Sequence, residues 1–220
     1  MKARNTWELE NRLDLSLGPR KRELTEHRFA VMGGGSFRRG VLRRSGIVLM
    51  YAHWEGFVRE ASSLYLSLVD SRGLPVAELA RNFQAIALRT TLLRLGATRK
   101  VSRHIELLND IADAMKLPQA PARMPTNGII AERSNLDARA FYEILETLGL
   151  DPTPYKLQEK PVIGRLVRLR HQIAHGARVP VDFSTYNDLH AHLISILDVF
   201  REQIVRAAVG RLFLAGPNMS

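Results

Sequence analysis

The longest regular feature of the chain runs from Phe37 to about Asp70, where Ile47, Met50, Trp54, Phe57, Ala61, Leu64 and Leu68 recur in steps of three and four. Apolar residues at that spacing share one face of a helix, and Tyr51, Val58 and Tyr65 widen the face on its flank. So long and broad an apolar face must be covered along its whole length, because helical stability in water comes mostly from packing. The run therefore predicts a bundle built around one central helix, or a helix shared with a second copy of the chain. A coiled coil fits less well, since a strict coiled-coil seam lacks the flanking stripes seen here.

The other segments supply partners for that helix. Residues 7–15 and 19–30 read as two short helices or one broken at Gly18, with Pro19 at a first helical position. Gly33, Gly34 and Gly35 read as a turn, not a phosphate cradle, because no Lys-Ser/Thr follows them and no strand precedes them. Ser36 is an expected N-cap, and Gly73 an expected end of the central helix. From Leu74-Pro75 a further helix is expected to carry Leu79, Phe83, Ile86, Leu93 and Leu95, and Thr98 to cap one carrying Val101, Ile105, Leu108, Ile111 and Met115. Pro118, Pro121 and Pro125 rule out regular helix nearby, so 117–135 is expected as a long exposed loop, disordered or part of a substrate channel. Asn135 is expected to cap a helix over 136–148 that Gly149 closes. Pro161 then opens a helix with Val162, Leu166, Leu169 and Ile173 on its core stripe, and a last helix from about Ser184 carries Tyr186, Leu189, Leu193, Ile196, Phe200, Ile204 and Ala208. No segment alternates like a strand and no fixed-period repeat occurs, so the chain reads as a single all-α domain over 1–220.

Composition narrows the chemistry. The chain has no cysteine, which excludes disulfide scaffolds, thiolate-held metals and thiol catalysis and fits a reducing cytoplasm. Residues 1–10 hold no apolar core of signal-peptide length, and the apolar stretch 193–214 is interrupted by Asp198, Arg201, Glu202, Arg206 and Arg211, so no membrane association is expected. The formal net charge of +10 favours a polyanionic partner, nucleic acid before membrane. Lys160, Arg165, Arg168, Arg170 and Arg178 form a cluster free of acids.

Inside that cluster lies Arg170-His171-Gln172-Ile173-Ala174-His175-Gly176. A guanidinium offers a permanent planar fork for phosphate oxygens, and an imidazole exchanges protons near neutral pH. These are two parts that RNA cleavage needs: a base for the ribose 2′-hydroxyl and positive charge for the developing phosphorane. A purely structural reading competes, since Arg and His near a helix C-terminus also satisfy terminal carbonyls and the macrodipole. At about 100° per residue, Arg170 and His175 point roughly 140° apart on an unbroken helix. Either the helix unwinds near residues 174–176, or one pocket combines side chains of two protomers.

Other candidates are weaker. His171 and His175 could bind zinc, but no metalloprotease Glu follows and no third ligand is evident, so neither metal nor cofactor is expected. Glu55 is expected to pair with Arg59 on an exposed helix surface, and Trp54 to pack in the core or a dimer seam. His53, His104, His190 and His192 show no partner constellation, and Arg38, Arg39, Arg43 and Arg44 read equally as a solvated helix start or an RNA backbone track.

The element Arg170-His171-x-x-x-His175-Gly176 resembles the Arg-x4–6-His motif of HEPN domains, and Tyr51-Ala52-His53-Trp54-Glu55-Gly56-Phe57 resembles an aromatic block on a long early helix of the bacterial stand-alone, RiboL-PSP-HEPN-like branch. Two such blocks, far apart in an all-α chain, are more specific than either alone. The resemblance implies a metal-independent endoribonuclease acting as a homodimer, with both motif copies facing one cleft. It implies His175 as general base, Arg170 as phosphate holder and His171 at the motif's polar position; the acid-free cluster around them makes Arg165, Arg168 and Arg178 the candidate substrate contacts. The expected partners are RNA, a second protomer and an antitoxin or regulatory protein, in a toxin or antiviral setting. The alternative is a non-catalytic helical module that binds RNA, nucleotide or protein.

Overall fold

The computed structural model describes residues 3–33, 35–116, 121–125 and 135–216, with the side chains of residues 158–160 left aside. Among these the fold contains eight α-helices and no strand. Three long helices form the body: α1 (Thr6–Met32), α2 (Ser36–Ser71) and α8 (Phe183–Val209). The periodicity of the central run is realised almost end to end, and Trp54, Phe57, Ala61, Leu64 and Leu68 are all buried on α2. Trp54 is fully enclosed, edge-on to Tyr51 and Phe141, which makes it core packing. Phe141 also meets Tyr155 and Phe200, so this aromatic cluster ties α2 to α6 (Ala138–Leu148) and α8.

Several expectations shift. The first segment is one continuous helix with Pro19 inside it, not two pieces divided at Gly18. Buried Leu17 and Leu24 on either side hold the helix through the proline, as do ion pairs from Arg20 to Glu60 and Lys21 to Asp198. The N-cap of α2 is Gly35, one residue before the expected Ser36, and it makes no side-chain cap bond. Gly34 lies outside the described residues.

The stretch after Gly73 divides into a 3₁₀ turn (Val76–Glu78), α3 (Arg81–Ala87) and α4 (Arg89–Ala97). α5 (Val101–Ala114) starts at an N-cap of Lys100 rather than Thr98; the Thr98 carbonyl instead accepts from His104 Nε2 at 2.9 Å. Its apolar stripe faces outward: Val101 is 70%, Ile105 56% and Leu108 54% exposed, while Leu107 is buried. The 117–135 segment is described at 121–125, where Ala122 and Met124 are buried, held by Ala122 N–H to the Leu74 carbonyl (2.8 Å) and Met124 N–H to Asp70 Oδ1 (2.9 Å). α6 is capped by Asp137, which accepts from Ala140 N–H, and closed by Gly149 in the left-handed region at φ 67°.

The helix carrying the motif begins later than Pro161. A 3₁₀ turn (Thr153–Gln158) runs into a π-helical turn (Glu159–Gly164), and α7 proper is Arg165–Ala174. Val162 and Ile163, adjacent in sequence, are both buried there.

Candidate active site

Leu166 and Leu169 anchor α7 against the central helix, and Ile173 packs partly beneath it. The helix then stops through paired bonds: Gly176 N–H to the Ile173 carbonyl at 3.0 Å, and Ala177 N–H to the Gln172 carbonyl at 3.0 Å. That is a Schellman closure, which needs a left-handed residue, and Gly176 supplies it at φ 83°. His175 occupies the C-cap position, so the helix does end where the sequence required one of two solutions.

Arg170 points back onto the bundle. Its guanidinium carbon lies 4.6 Å from the centroid of the Tyr51 ring, and its Nη1 donates to Asn135 Oδ1 at 3.0 Å. Tyr51 is itself fixed, since its buried hydroxyl accepts the Leu136 N–H at 2.8 Å and hydrogen-bonds Glu55. Burial first, and then the bond to Glu55, pushes the Tyr51 phenol up to about 12, so at neutral pH it is a neutral hydrogen-bonding group. Glu55 pairs with Arg59 at 2.5 Å as expected, but in a half-buried setting rather than an exposed one. The two sequence blocks thus meet: Tyr51 of the first carries Arg170 of the second.

His171 is exposed on the next face of α7, and its ring lies 4.4 Å from that of His175. Arg170, His171, Arg168 and Gln172 form one wall of a cleft of about 630 Å³, with Asn135, Asp137 and Ala138 across from them and Tyr51 also lining it. His175 is exposed, against His171, and is not part of that wall. Arg178 is exposed beyond the helix end. Arg165 turns away: its Nη2 donates to Thr185 Oγ1 at 2.7 Å, beside the Asp182 cap of α8. Arg165 therefore lies off the cleft and is bonded to α8, whereas Arg168 stands on the cleft.

Two residues of this arrangement escape sequence reasoning. Asn135 reads as a helix cap but serves as the acceptor for Arg170, and Tyr51 reads as a flank of the core stripe and the head of the aromatic block, not as the platform for that arginine. Both contacts link remote positions, and no local pattern announces them. The remaining imidazoles have partners of their own: His53 with Glu23 at 3.0 Å, His190 with the Leu24 carbonyl, His27 with Tyr186 and Ser45, and His192 with the Asp188 carbonyl. Burial lowers the pKa of His53, His190 and His27. Among the described residues no three His, Asp or Glu side chains converge as metal ligands, and no helix is long and apolar enough to cross a membrane.

A family model described as RiboL-PSP-HEPN matches residues 17–206, which takes in both blocks and the cleft between them. The chain belongs to the RiboL-PSP-HEPN family. Comparison with curated proteins and with solved structures gave no significant match. In this HEPN domain the Arg-x4-His element sits at the end of α7, with its arginine docked on the aromatic block of α2.

Proposed function

We propose that this HEPN domain is a metal-independent endoribonuclease. The observation that carries the reading is the fixed guanidinium of Arg170 on a cleft wall, adjacent to the touching rings of His171 and His175. One bond to Asn135 leaves the remaining Arg170 donors for phosphate oxygens. His175 takes the proton of a ribose 2′-hydroxyl; the 2′-oxygen attacks phosphorus, and the bond from phosphorus to the 5′-oxygen breaks. The products are a 2′,3′-cyclic phosphate and a 5′-hydroxyl, the leaving 5′-oxygen taking its proton from solvent water while the protonated His175 returns its own to solvent. Arg170 stabilises the extra negative charge of the phosphorane, and His171, in contact with His175, orients the base.

The active form is a two-fold dimer in which both motif copies face one cleft, with His175 exposed at the end of each α7. Such an activity suits a toxin or antiviral effector under the control of an antitoxin or regulatory protein. The test is cleavage of labelled RNA in the presence of a chelator by wild type, Arg170→Ala and His175→Ala. Cleavage that resists chelation and falls on the order of 10²-fold or more in both variants is expected. Wild-type rates in His175→Ala overturn the assignment, and RNA binding without cleavage by the wild type points to the non-catalytic module instead.

A further inference from the structure

We infer that the cleft beside Arg170 is a nucleobase subsite, seating the base of a nucleotide next to the phosphate that Arg170 holds; this deepens the ribonuclease reading and rests on it. The cleft, about 630 Å³, falls in the size range of small-molecule pockets. Its walls include Val167, Ala138 and the bare backbone of Gly164, surfaces that suit a flat, weakly hydrated ring better than a second phosphate. Arg139 and Arg168 also line the cleft and suit the phosphates flanking a seated base, beside the Asp137 carboxylate that caps Ala140 N–H at 2.7 Å.

Asn135 gives the pocket its reading head. Its Oδ1 is committed to Arg170, and among the described residues its amide NH₂ has no acceptor, which leaves a pair of donors beside the cleft. Gln172, an exposed residue of α7 that also lines the cleft, adds a second amide. A base presenting acceptors toward Asn135 is therefore favoured, and the same amide that orients the phosphate-holding guanidinium also chooses the neighbouring nucleotide.

The substitution that separates the two roles of Asn135 is Asn135→Asp, which keeps an acceptor for Arg170 and removes the donors. A random hexamer pool with every 2′-hydroxyl methylated cannot be cleaved, and sequencing of the bound fraction reads base preference directly. Wild type is expected to enrich one base class at a single position. Asn135→Asp should reduce that enrichment roughly three- to tenfold, the scale of one lost hydrogen bond. Val167→Trp, which fills the cleft, should abolish it. Free 3′-nucleoside monophosphates are tested alongside; a mononucleotide that binds while the hexamers do not overturns the assignment to an RNA strand. Equal enrichment in wild type, Asn135→Asp and Val167→Trp, each confirmed folded by thermal melt, overturns the subsite. Wild type that enriches a base yet cleaves no RNA refutes the nuclease reading alone, and cleavage without base preference refutes the subsite alone.

Discussion

Replacing Tyr51 with Phe removes a single oxygen from the point where the two sequence blocks join. The aromatic ring stays, so the stacking of Arg170 at 4.6 Å survives. What is lost is the acceptor for the Leu136 N–H, a buried bond of 2.8 Å, together with the hydroxyl that hydrogen-bonds Glu55. Glu55 keeps its pair with Arg59, whereas the Leu136 amide loses the acceptor it has here. An orphaned buried donor costs about 1–3 kcal/mol. For a domain of this size each kcal/mol moves the melting point by about 2–4 °C, so a fall of roughly 2–12 °C is expected. Because Leu136 follows Asn135 directly, the same change loosens the acceptor on Arg170, and RNA cleavage should fall even at temperatures where the variant is fully folded. Scanning calorimetry and single-turnover cleavage at 20 °C check the two halves. A Tyr51→Phe protein that melts with the wild type and cleaves at its rate refutes the connection between the blocks.

Other outcomes follow from the same contacts. Arg168→Ala should weaken RNA binding and reduce the slope of log affinity against log salt by about 0.7, one single-strand phosphate contact, without moving the melting point. Arg165→Ala should do the opposite, lowering stability by about 0.5–1.5 kcal/mol through the lost bond to Thr185 while leaving the salt slope unchanged. Pro19→Ala should raise the melting temperature, because proline within a helix removes a backbone bond and crowds the preceding turn, at a cost of about 3 kcal/mol; a lower melting temperature contradicts this. Burial depresses the folded-state pKa of His190, His53 and His27, so below about pH 6.5 the unfolded chain takes up protons first and stability should fall as the pH drops from neutral toward each folded value. Thermal melts from pH 8 to pH 5 measure that decline.

The central helix was legible because a broad stripe at helical spacing has one physical solution, and Ile47 through Leu68 occupy it. α5 shows the limit of that logic. Val101, Ile105 and Leu108 have the spacing of a core face, yet pattern says only that one side is apolar, not that anything covers it. Helix ends were misplaced where two residues compete for one role: Asp137, not Asn135, caps α6, which frees Asn135 for Arg170. Arg170 and His171 were recognisable as neighbours on one helix. Their support from Tyr51 and Asn135 was not, since it depends on how α2, α6 and α7 come together. Nor did charge separate Arg165 from Arg168; only their directions on the helix do.

The π-helical turn ahead of α7 sets the rotational phase of everything after it. By burying Val162 and Ile163 side by side, it adjusts how the following helix meets the bundle. An α-helix turns about 100° for each residue, so a one-residue deletion in 159–164 that the wide π turn did not absorb would carry each later side chain into its predecessor's place. His171 would then stand over Tyr51, and the arginine would rotate away from both Asn135 and the cleft. Residue count in this one turn, as much as the identity of Arg170, decides whether a guanidinium or an imidazole rests on the central helix.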